Sequence, residues 1–366
     1  MPEEQFDFMR RLLGAPSPIG FEAAMTHGVL EPYVEEFMPE GWGIHRFRGN
    51  AGVVIDTAPE DTDALSVMVI GHADKIRMQV RHIGEDGKIW VNTDSFLPCT
   101  LVGHEVKLFS EDPEKPGSYR VLEGGTIEAI GAIHFADAEM RSGSRGLKAE
   151  MMYLELHLHG EKRKEQVEKL GIKAGDPIIL DREIRRGFGE DTFYGAYLDN
   201  GLGTFVVAEV ARVLAQEFKP DVVIGVDVSH DYEAAPGVGE KRFPPNKMGA
   251  GFTLAVGAIV QPHLNALIQE AAKSKEIPYQ LTVVGRDTGT DAMAAVLASI
   301  DSAATSIGFP IRNMHTISEC GHTADVLAAV HGVVALLELL DEKGVTADDF
   351  RNGHVRLDES GTLSRD

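Results

Sequence analysis

The spacing of apolar positions divides the chain into helical and extended stretches. Apolar residues recur with helical spacing over 4–13, 23–37, 203–218, 263–275, 291–297 and 324–340. Short apolar runs at 52–56, 65–70, 222–228 and 280–284 predict buried strands. Between 77 and about 187, alternating apolar and polar segments are separated by Gly, Pro and Asp, which predicts a small β-rich domain. Together these elements predict an α/β fold with a mixed sheet and an inserted β-rich domain.

This order of elements predicts four regions in the 366-residue chain. The α/β domain, which carries the candidate chemistry described below, is expected to have its first part at 1–76 and its second part at 188–345. The inserted β-rich domain is expected at 77–187, and a polar tail at 346–366. A chain of this length can bury a large core in more than one domain.

Four of the apolar runs end at, or shortly before, a side chain that can bind a metal ion. These side chains are His72 after 67–70, Asp199 after 193–198, Asp227 after 222–226, and His315 a few residues after 303–309. In open α/β sheets, ligands bind outside the carboxyl ends of the strands. We therefore expect the four side chains to converge. Imidazole with carboxylate is the donor set of a hydrolytic zinc site, and one carboxylate can bridge two ions.

The composition is that of an ordinary folded protein, with 43% hydrophobic and 7% aromatic residues. The formal net charge of −22 argues against a nucleic-acid or anionic-membrane partner. The start of the chain does not have the pattern of a secretory signal. A membrane helix needs roughly 20 apolar residues, and the sequence predicts no stretch of that kind. Cys99 and Cys320 show neither disulfide nor thiolate-zinc spacing, so a cytoplasmic location is predicted.

Eight local motifs resemble, in the same order, those of the TET (tetrahedral) aminopeptidases, the family of glutamyl and deblocking aminopeptidases that includes proteins once described as cellulases. The motifs are Pro16-Ser-Pro-Ile-Gly-Phe-Glu22, Gly71-His-Ala-Asp74, Leu170-Gly-Ile-Lys-Ala-Gly-Asp-Pro177 with Asp181-Arg182, Leu198-Asp-Asn-Gly-Leu-Gly203, Val226-Asp-Val-Ser229, Ile277-Pro-Tyr-Gln280, Gly289-Thr-Asp-Ala292 and Arg312-Asn-Met-His-Thr316. Each motif is weak alone. Their common order from about residue 11 to about residue 340 makes a chance match improbable.

The resemblance implies a role for each candidate residue. It makes His72, Asp199, Asp227 and His315 ligands of two divalent ions, zinc or cobalt, with Asp199 as the bridging carboxylate. Asp74 is then the carboxylate that orients the His72 ring and supports catalysis without binding metal. The resemblance also implies short peptide substrates and a large homo-oligomer, a dodecamer.

Simpler interpretations of these residues remain open on the sequence alone. His72 also fits a core histidine bonded to a backbone carbonyl, and Asp199 also fits the N-cap of the following helix. His322 is a rival to His315, but its position before the last helix favours capping. His157 and His159 have a metal-like spacing, although an exposed strand face explains them better. Lys75 stands where the family usually has an acidic residue.

One segment of the family pattern is missing. In the family, two adjacent glutamates follow a strand between the bridging Asp and the next Asp ligand; the first moves the proton and the second binds metal. Here one helix runs from the region of Asp199 to Glu217 and leads directly into the strand of Asp227. Its start and its end resemble two successive family helices, so a helix-strand unit, on the order of 20 to 30 residues, is absent between them.

Few other carboxylates are available as substitutes for the missing pair. Apolar neighbours predict that Glu209 points away from the strand ends, whereas Asp231, Glu233 and Glu319 are the possible substitutes. Three hypotheses follow: a dinuclear metalloaminopeptidase, a metal-binding homologue impaired in catalysis and retained for assembly or peptide binding, and a polysaccharide hydrolase. The last ranks lowest because no carboxylate pair of a glycosidase stands out.

Overall fold

The computed structural model describes most of the chain. The described residues are 1–47, 52–57, 67–129, 136, 138–189, 191–217, 223–234, 246–257, 260–284, 303–346, 349–350, 356–357 and 363–364. The predicted helix at 291–297 lies outside them, as does most of the predicted tail at 346–366.

Most of the described helices follow the helical spacing of the sequence, whereas two short helices of the inserted segment, Ala138–Ser142 and Arg163–Lys169, were not predicted. In chain order, the described helices are α1 (Glu3–Gly14), α2 (Ala23–Met25), α3 (Glu31–Glu35), α4 (Ala138–Ser142), α5 (Arg163–Lys169), α6 (Leu198–Glu217), α7 (Pro262–Ser274) and α8 (Thr323–Lys343). A π-helical turn, Thr26–Leu30, joins α2 to α3, and Pro98–Thr100 and Ala149–Met151 are single 3-10 turns. The predicted helix at 23–37 is therefore one continuous helical stretch from Ala23 to Glu35, with a π-helical turn in its middle.

The strands fall into five groups. They are β1 (Gly43–Arg46), β2 (Val53–Asp56), β3 (Val69–Ile70), β4 (Met78–Ile83), β5 (Ile89–Asn92), β6 (Glu105–Glu111), β7 (Tyr119–Glu128), β8 (Tyr153–Glu155), β9 (Pro177–Leu180), β10 (Arg185–Arg186), β11 (Thr192–Gly195), β12 (Val223–His230), β13 (Phe252–Gly257), β14 (Tyr279–Val284), β15 (Ala304–Ile311), β16 (Glu319–His322), β17 (Arg356–Leu357) and β18 (Leu363–Ser364). Of these, β13 has no counterpart among the predicted strands.

A five-stranded mixed sheet positions the candidate site. Its order is β14-β13-β15-β12-β3, with β12 parallel to both β15 and β3, and β13 antiparallel to β15. Every residue of β15 is buried, as expected for a strand covered on both faces. Helices α1, α6, α7 and α8 contribute to the same core.

The inserted segment forms a closed barrel with its own core. The barrel order is β4-β5-β8-β7-β6-β9, and its interior holds Met78, Ile89, Val106, Leu154 and Ile178. Closing the sheet removes exposed strand edges. The predicted fold class, a mixed α/β fold with a small β-rich insertion, is thus confirmed, while the boundaries at 76/77 and 187/188 stay predictions.

Helix α8 corrects one expectation from the sequence. Among the described residues, this helix alone is long and apolar enough, by length and composition, to cross a membrane, although no such stretch was expected. Its apolar window is 72% buried inside the protein, and helices in the core of a folded protein pass the same test. The apolar faces of α8 therefore serve the central core.

Candidate metal centre

Strand register brings His72 level with Asp227. Ile70 of β3 pairs with Gly225 of β12, so two residues further along, His72 lies opposite Asp227. The two side chains leave neighbouring parallel strands at the same edge of the sheet. This is the arrangement that the apolar runs predicted.

Close packing of glycines brings Asp199 to the same place. A Cβ on Gly71 would lie 2.5 Å from the backbone carbon of Gly203, which is too close. The loop after β3 therefore packs against the start of α6 only because residue 71 is a glycine. The hydroxyl of Thr204 then donates to the His72 carbonyl at 2.9 Å. This contact fixes the first turn of α6 against the loop that carries His72.

Asn200, not Asp199, caps helix α6. The Asn200 side-chain oxygen accepts a hydrogen bond from the Gly203 amide at 2.9 Å, and its amide donates to the Val226 carbonyl at 2.9 Å. Asp199 itself has a non-helical backbone. Because the neighbouring residue supplies the cap, the Asp199 carboxylate is left to face the two histidines.

The four predicted ligands meet around Asp199. His72 Nε2 lies 3.3 Å from Asp199 Oδ1, and His315 Nε2 lies 3.0 Å from Asp199 Oδ2. Single ligand atoms of His72, Asp199 and Asp227 all lie within 4.8 Å of one another. His315 joins this group through Asp199, which therefore occupies the central place expected of a bridging carboxylate.

Asp74 lies behind the His72 ring. Its Oδ1 is 3.2 Å from His72 Nδ1, an ion-pair distance, although the contact lacks hydrogen-bond geometry and leaves Nδ1 as a buried polar atom without a hydrogen-bond partner. Asp74 is therefore placed to orient the ring once His72 turns its other nitrogen toward a cation.

The carboxylates of the site favour the positively charged forms of His72 and His315. Burial disfavours the charged form of His72, but contacts with Asp199 and Asp74 outweigh burial and raise its pKa to about 11. Burial alone would raise the pKa of Asp199, yet the hydrogen bonds from His315 and His72 hold it well below its usual range. The Asp199 hydrogen bond raises the pKa of His315 as well. Positive charge is thus favoured between these side chains, as a metal site requires.

The donor set fits divalent transition metals. Two imidazoles and two carboxylates offer the nitrogen and oxygen ligands that zinc takes. The half-buried positions of His72, Asp199 and Asp227 leave the group reachable from solvent. The residues present therefore fit the ions that the resemblance implies.

Glu319 holds the two loops that carry Asp199 and His315. It is buried, and its two oxygens accept hydrogen bonds from the Leu198 and His315 amides, each at 2.7 Å. Burial raises its pKa to about 7. Spacing alone did not reveal this role, because both partners are backbone groups that meet Glu319 only in the fold.

Asp231 and Glu233 have different surroundings. Asp231 is buried, pairs with Arg312 Nε at 2.7 Å, and accepts from the Glu233 amide at 3.0 Å. Glu233 is exposed in the turn that Asp231 stabilises. Of the possible substitute carboxylates, Asp231 and Glu319 already hold partners within the fold, and Glu233 faces solvent.

Lys75 fills the position at which an acidic residue was expected. Its amino group is buried, donates to the carbonyls of Leu13 and Ala15, and lies 4.8 Å from the centre of the Tyr197 ring. Burial, with a smaller effect of Lys107, lowers its pKa to about 7. Lys75 therefore ties the end of α1 to the site and adds no carboxylate.

A small cleft lies beside the metal-binding group. It is lined by Ile76, Phe96, Leu180, Ala196, Tyr197, Asp199, His315, Thr316 and Glu319. One wall is therefore apolar and the other carries the candidate ligands.

The other histidines that the sequence singled out, His157, His159 and His322, lie outside the group of described residues that could hold a metal ion. The His322 side chain caps α8 by accepting from the Ala324 amide, so its predicted capping role is confirmed. His157 is exposed and contacts Thr126 at 3.1 Å. Within the described residues, His157 and His159 belong to no group that could hold a metal ion.

Comparison with known proteins places the chain in a family. The family model for M42 glutamyl aminopeptidases matches residues 52–217 and 206–331, which is most of the chain. The chain belongs to the M42 glutamyl aminopeptidase family. The resemblance to TET aminopeptidases is thereby confirmed, and with it the assignment to the aminopeptidases, a class of peptide hydrolases.

Relatives of the M42 family match along nearly the whole chain. The lysyl aminopeptidase of Pyrococcus furiosus is 27% identical over 362 residues, covering 92% of this chain and 97% of that protein. The TET aminopeptidase of a marine sediment archaeon, Thaumarchaeota archaeon, has a TM-score of 0.78 at 20% identity, covering 95% of this chain and 98% of the other. The TET1 peptidase of Pyrococcus horikoshii has a TM-score of 0.69 at 16% identity, covering 91% and 99%. These structures show the same fold.

Proposed function

We propose that this M42 protein binds two divalent ions, zinc or cobalt, through His72, Asp199, Asp227 and His315, and acts on the N-terminal residue of short peptides. The observation that supports it is the convergence of His72, Asp199 and Asp227 to within 4.8 Å, with His315 on the far side of Asp199. When bound, such ions polarise the substrate carbonyl and a water molecule.

The chain's own residues supply binding and orientation. Asp199 lies between the two histidines and is suited to share its oxygens between two cations. Asp74 orients His72, and Glu319 fixes the loops that present Asp199 and His315. The apolar wall of the cleft, with Phe96 and Leu180, is suited to the side chain of a peptide's first residue.

The second candidate, a metal-binding homologue with impaired catalysis, is supported by the state of the other carboxylates. A general base must accept a proton in the active site. Asp231 is paired with Arg312 and Glu319 is held by two amides, so neither is free to move toward a substrate. The proposed function is therefore metal and peptide binding with slow peptide hydrolysis. A polysaccharide hydrolase receives no support from these contacts.

Metal analysis tests the ligand assignment. We expect up to two zinc ions per wild-type chain, and fewer in His72→Ala and in His315→Ala, because each variant loses one imidazole ligand. His159→Ala is the matched control, since His159 lies outside the group. Unchanged stoichiometry in both ligand variants would refute the assignment.

Proton release tests the electrostatics of the site. In the metal-free protein, His72 with a pKa of about 11 is protonated at neutral pH, and only neutral imidazole binds metal. Zinc binding should therefore release at least one proton, and the affinity should fall about tenfold for each pH unit lowered. Calorimetry in buffers of different ionisation enthalpy measures the released protons. Asp74→Asn should release fewer, and the absence of any proton release in wild type would contradict the prediction.

Assembly gives a further prediction. The TET1 peptidase of Pyrococcus horikoshii is described as assembling into a tetrahedron or an octahedral shell. Because this chain keeps both the α/β fold and the barrel, we propose a large homo-oligomer, a dodecamer by resemblance, in the cytoplasm. Light scattering on the purified protein measures the mass, and a monomer alone would contradict it.

A further inference from the structure

Tyr197 joins the barrel to the turn that carries Asp199. Its side chain is 5% exposed and packs in the barrel core, and its hydroxyl accepts a hydrogen bond from the Leu180 amide at 2.7 Å. Leu180 is the last residue of β9. Because Asp199 follows Tyr197 by two residues, a very short piece of chain links the end of this barrel strand to the central candidate ligand.

The backbone of Tyr197 has a conformation that depends on these contacts. Its φ is +66°, in the left-handed region that bulky side chains rarely adopt. The residue lies in the turn between Gly195, where β11 ends, and Leu198, where α6 begins. Such a conformation persists only where the surrounding structure holds it. The buried ring and the bonded hydroxyl of Tyr197 supply that support.

Lys75 connects the same side chain to the loop that carries His72. Its amino group lies 4.8 Å from the centre of the Tyr197 ring and donates to two carbonyls at the end of α1. Lys75 follows His72 by three residues. The loop of His72 and the turn of Asp199 are therefore joined both through the Tyr197 ring and through the ligand side chains themselves.

We propose that Tyr197 is a positioning residue, which sets where the Asp199 carboxylate lies relative to the His72 ring. His72 Nε2 and Asp199 Oδ1 are 3.3 Å apart, and the other oxygen of Asp199 faces His315. A shift of the turn before Asp199 would change both contacts at once. The effect on metal affinity rests on the proposed function, whereas the effect on the turn does not.

Zinc affinity tests this role, with a second buried tyrosine as the matched control. Tyr197→Phe removes a hydroxyl bonded to a backbone amide, and Tyr33→Phe removes one bonded to Glu209. The control should lose at least as much stability, because its partner is a carboxylate. We expect zinc affinity to fall about tenfold in Tyr197→Phe only. No fall in Tyr197→Phe, or an equal fall in both variants, would overturn the proposal.

Cobalt gives a measurement of geometry beside the affinity. The visible absorption of bound cobalt depends on the arrangement of its ligands. We expect the cobalt spectrum of Tyr197→Phe to differ from that of wild type in band position or intensity, and the spectrum of Tyr33→Phe to match wild type. Identical spectra for all three proteins would show that the hydroxyl does not position the ligands and would overturn the proposal.

Amide exchange in the metal-free full-length protein separates this inference from the proposed function. Exchange of the amides in residues 196–203 measures how firmly the turn is held. We expect it to be about fivefold faster in Tyr197→Phe than in wild type, because one buried hydrogen bond is lost, and unchanged in Tyr33→Phe. Unchanged exchange in Tyr197→Phe would overturn the proposal.

Lys75→Met tests the support that reaches Tyr197 from the loop of His72. Methionine keeps an unbranched apolar chain beside the ring but lacks the amino group. We expect faster exchange at 196–203 in this variant as well, and a change confined to α1 would overturn the link through Lys75. Failure of the wild-type protein to bind zinc would count against the proposed function, while the exchange rates would still decide whether Tyr197 holds the turn.

Discussion

With zinc or cobalt added, the unmodified chain should hydrolyse aminoacyl-p-nitroanilides about 10²- to 10⁴-fold more slowly than an M42 relative that carries the Glu-Glu segment. That range is the usual contribution of general acid-base catalysis. The proposed site keeps four candidate metal ligands, whereas among the described substitute carboxylates Asp231 and Glu319 are held by partners within the fold and Glu233 faces solvent. Steady-state rates at saturating metal, compared with a relative assayed in parallel, measure the difference.

Restoring the missing unit should raise the rate. On the resemblance to the family, the place for a relative's helix-strand unit is between Glu209 and Arg212, where the two family helices are expected to join. A matched insert with Gln-Gln in place of Glu-Glu separates the effect of the strand from that of the carboxylates. We expect a gain only with Glu-Glu, provided that both proteins fold to the same extent.

Mutation would identify another carboxylate that acts as the general base. Full turnover by the unmodified chain, abolished by Glu233→Gln but not by the exposed-site control Glu36→Gln, would show that Glu233 has taken over proton transfer. Glu319→Gln needs a metal-binding measurement beside the rate, because Glu319 also holds the amides of Leu198 and His315. Loss of the rate without loss of metal would mark Glu319 as the base and contradict our interpretation of the gap.

The positions of the candidate ligands were predictable because each follows a local pattern. An apolar run followed by Gly71-His72, or interrupted by Asp227, places a polar side chain at a strand end whatever the rest of the fold does. Parallel pairing of β3 with β12 then brings these ends together. The convergence of His72 and Asp227 thus needed only strand positions and a general property of parallel sheets.

Other features depended on contacts that no spacing reveals. Asn200 rather than Asp199 caps α6 because of how Gly203 and Val226 lie around it. Lys75 became a buried donor because the carbonyls of Leu13 and Ala15 end a helix beside it, about 60 residues away in the chain. Long-range partners of this kind are set by packing, which periodicity does not encode.

Strand β13 shows a second limit of prediction from the sequence. Phe252–Gly257 is a short run that follows Gly251 and itself ends in a glycine, and periodicity does not separate such a run from a loop. The structure places it between β14 and β15, antiparallel to the latter, so it sets the mixed character of the sheet. Pairing with the neighbouring strands, rather than the pattern of its own sequence, identifies Phe252–Gly257 as a strand.

Glu209 joins three helices at the point where the missing unit would be inserted. Its carboxylate is buried and accepts hydrogen bonds from Gln5 of α1, from the Tyr33 hydroxyl of α3, and from Arg212 one turn further along α6, at 3.0 Å from Nε and 2.9 Å from Nη2. The sequence correctly predicted that Glu209 points away from the strand ends. An insertion after Glu209 would separate it from Arg212, so the stability of this network decides whether the restored protein folds.

Glu209→Ala should lower the free energy of unfolding by about 3–5 kcal/mol, because removing one member of a buried ion pair leaves its partners without compensation. Tyr33, whose pKa is raised by burial and by Glu209, would keep a buried hydroxyl without its acceptor. Denaturant unfolding measures the change, with the exposed α1 residue in Glu4→Ala as a control that should stay within about 0.5 kcal/mol.

The Glu209→Gln variant tests whether the hydrogen bonds of Glu209 are independent of the metal site. The amide oxygen can still accept from Tyr33, so we expect a smaller loss of stability than in Glu209→Ala, with zinc stoichiometry unchanged in the folded protein. Reduced zinc binding by a fully folded Glu209→Gln variant would show that Glu209 reaches the metal site after all. Near-wild-type stability of Glu209→Ala would show that the helices hold together without it, and folding of a chain with an insertion between Glu209 and Arg212 would then not depend on this network.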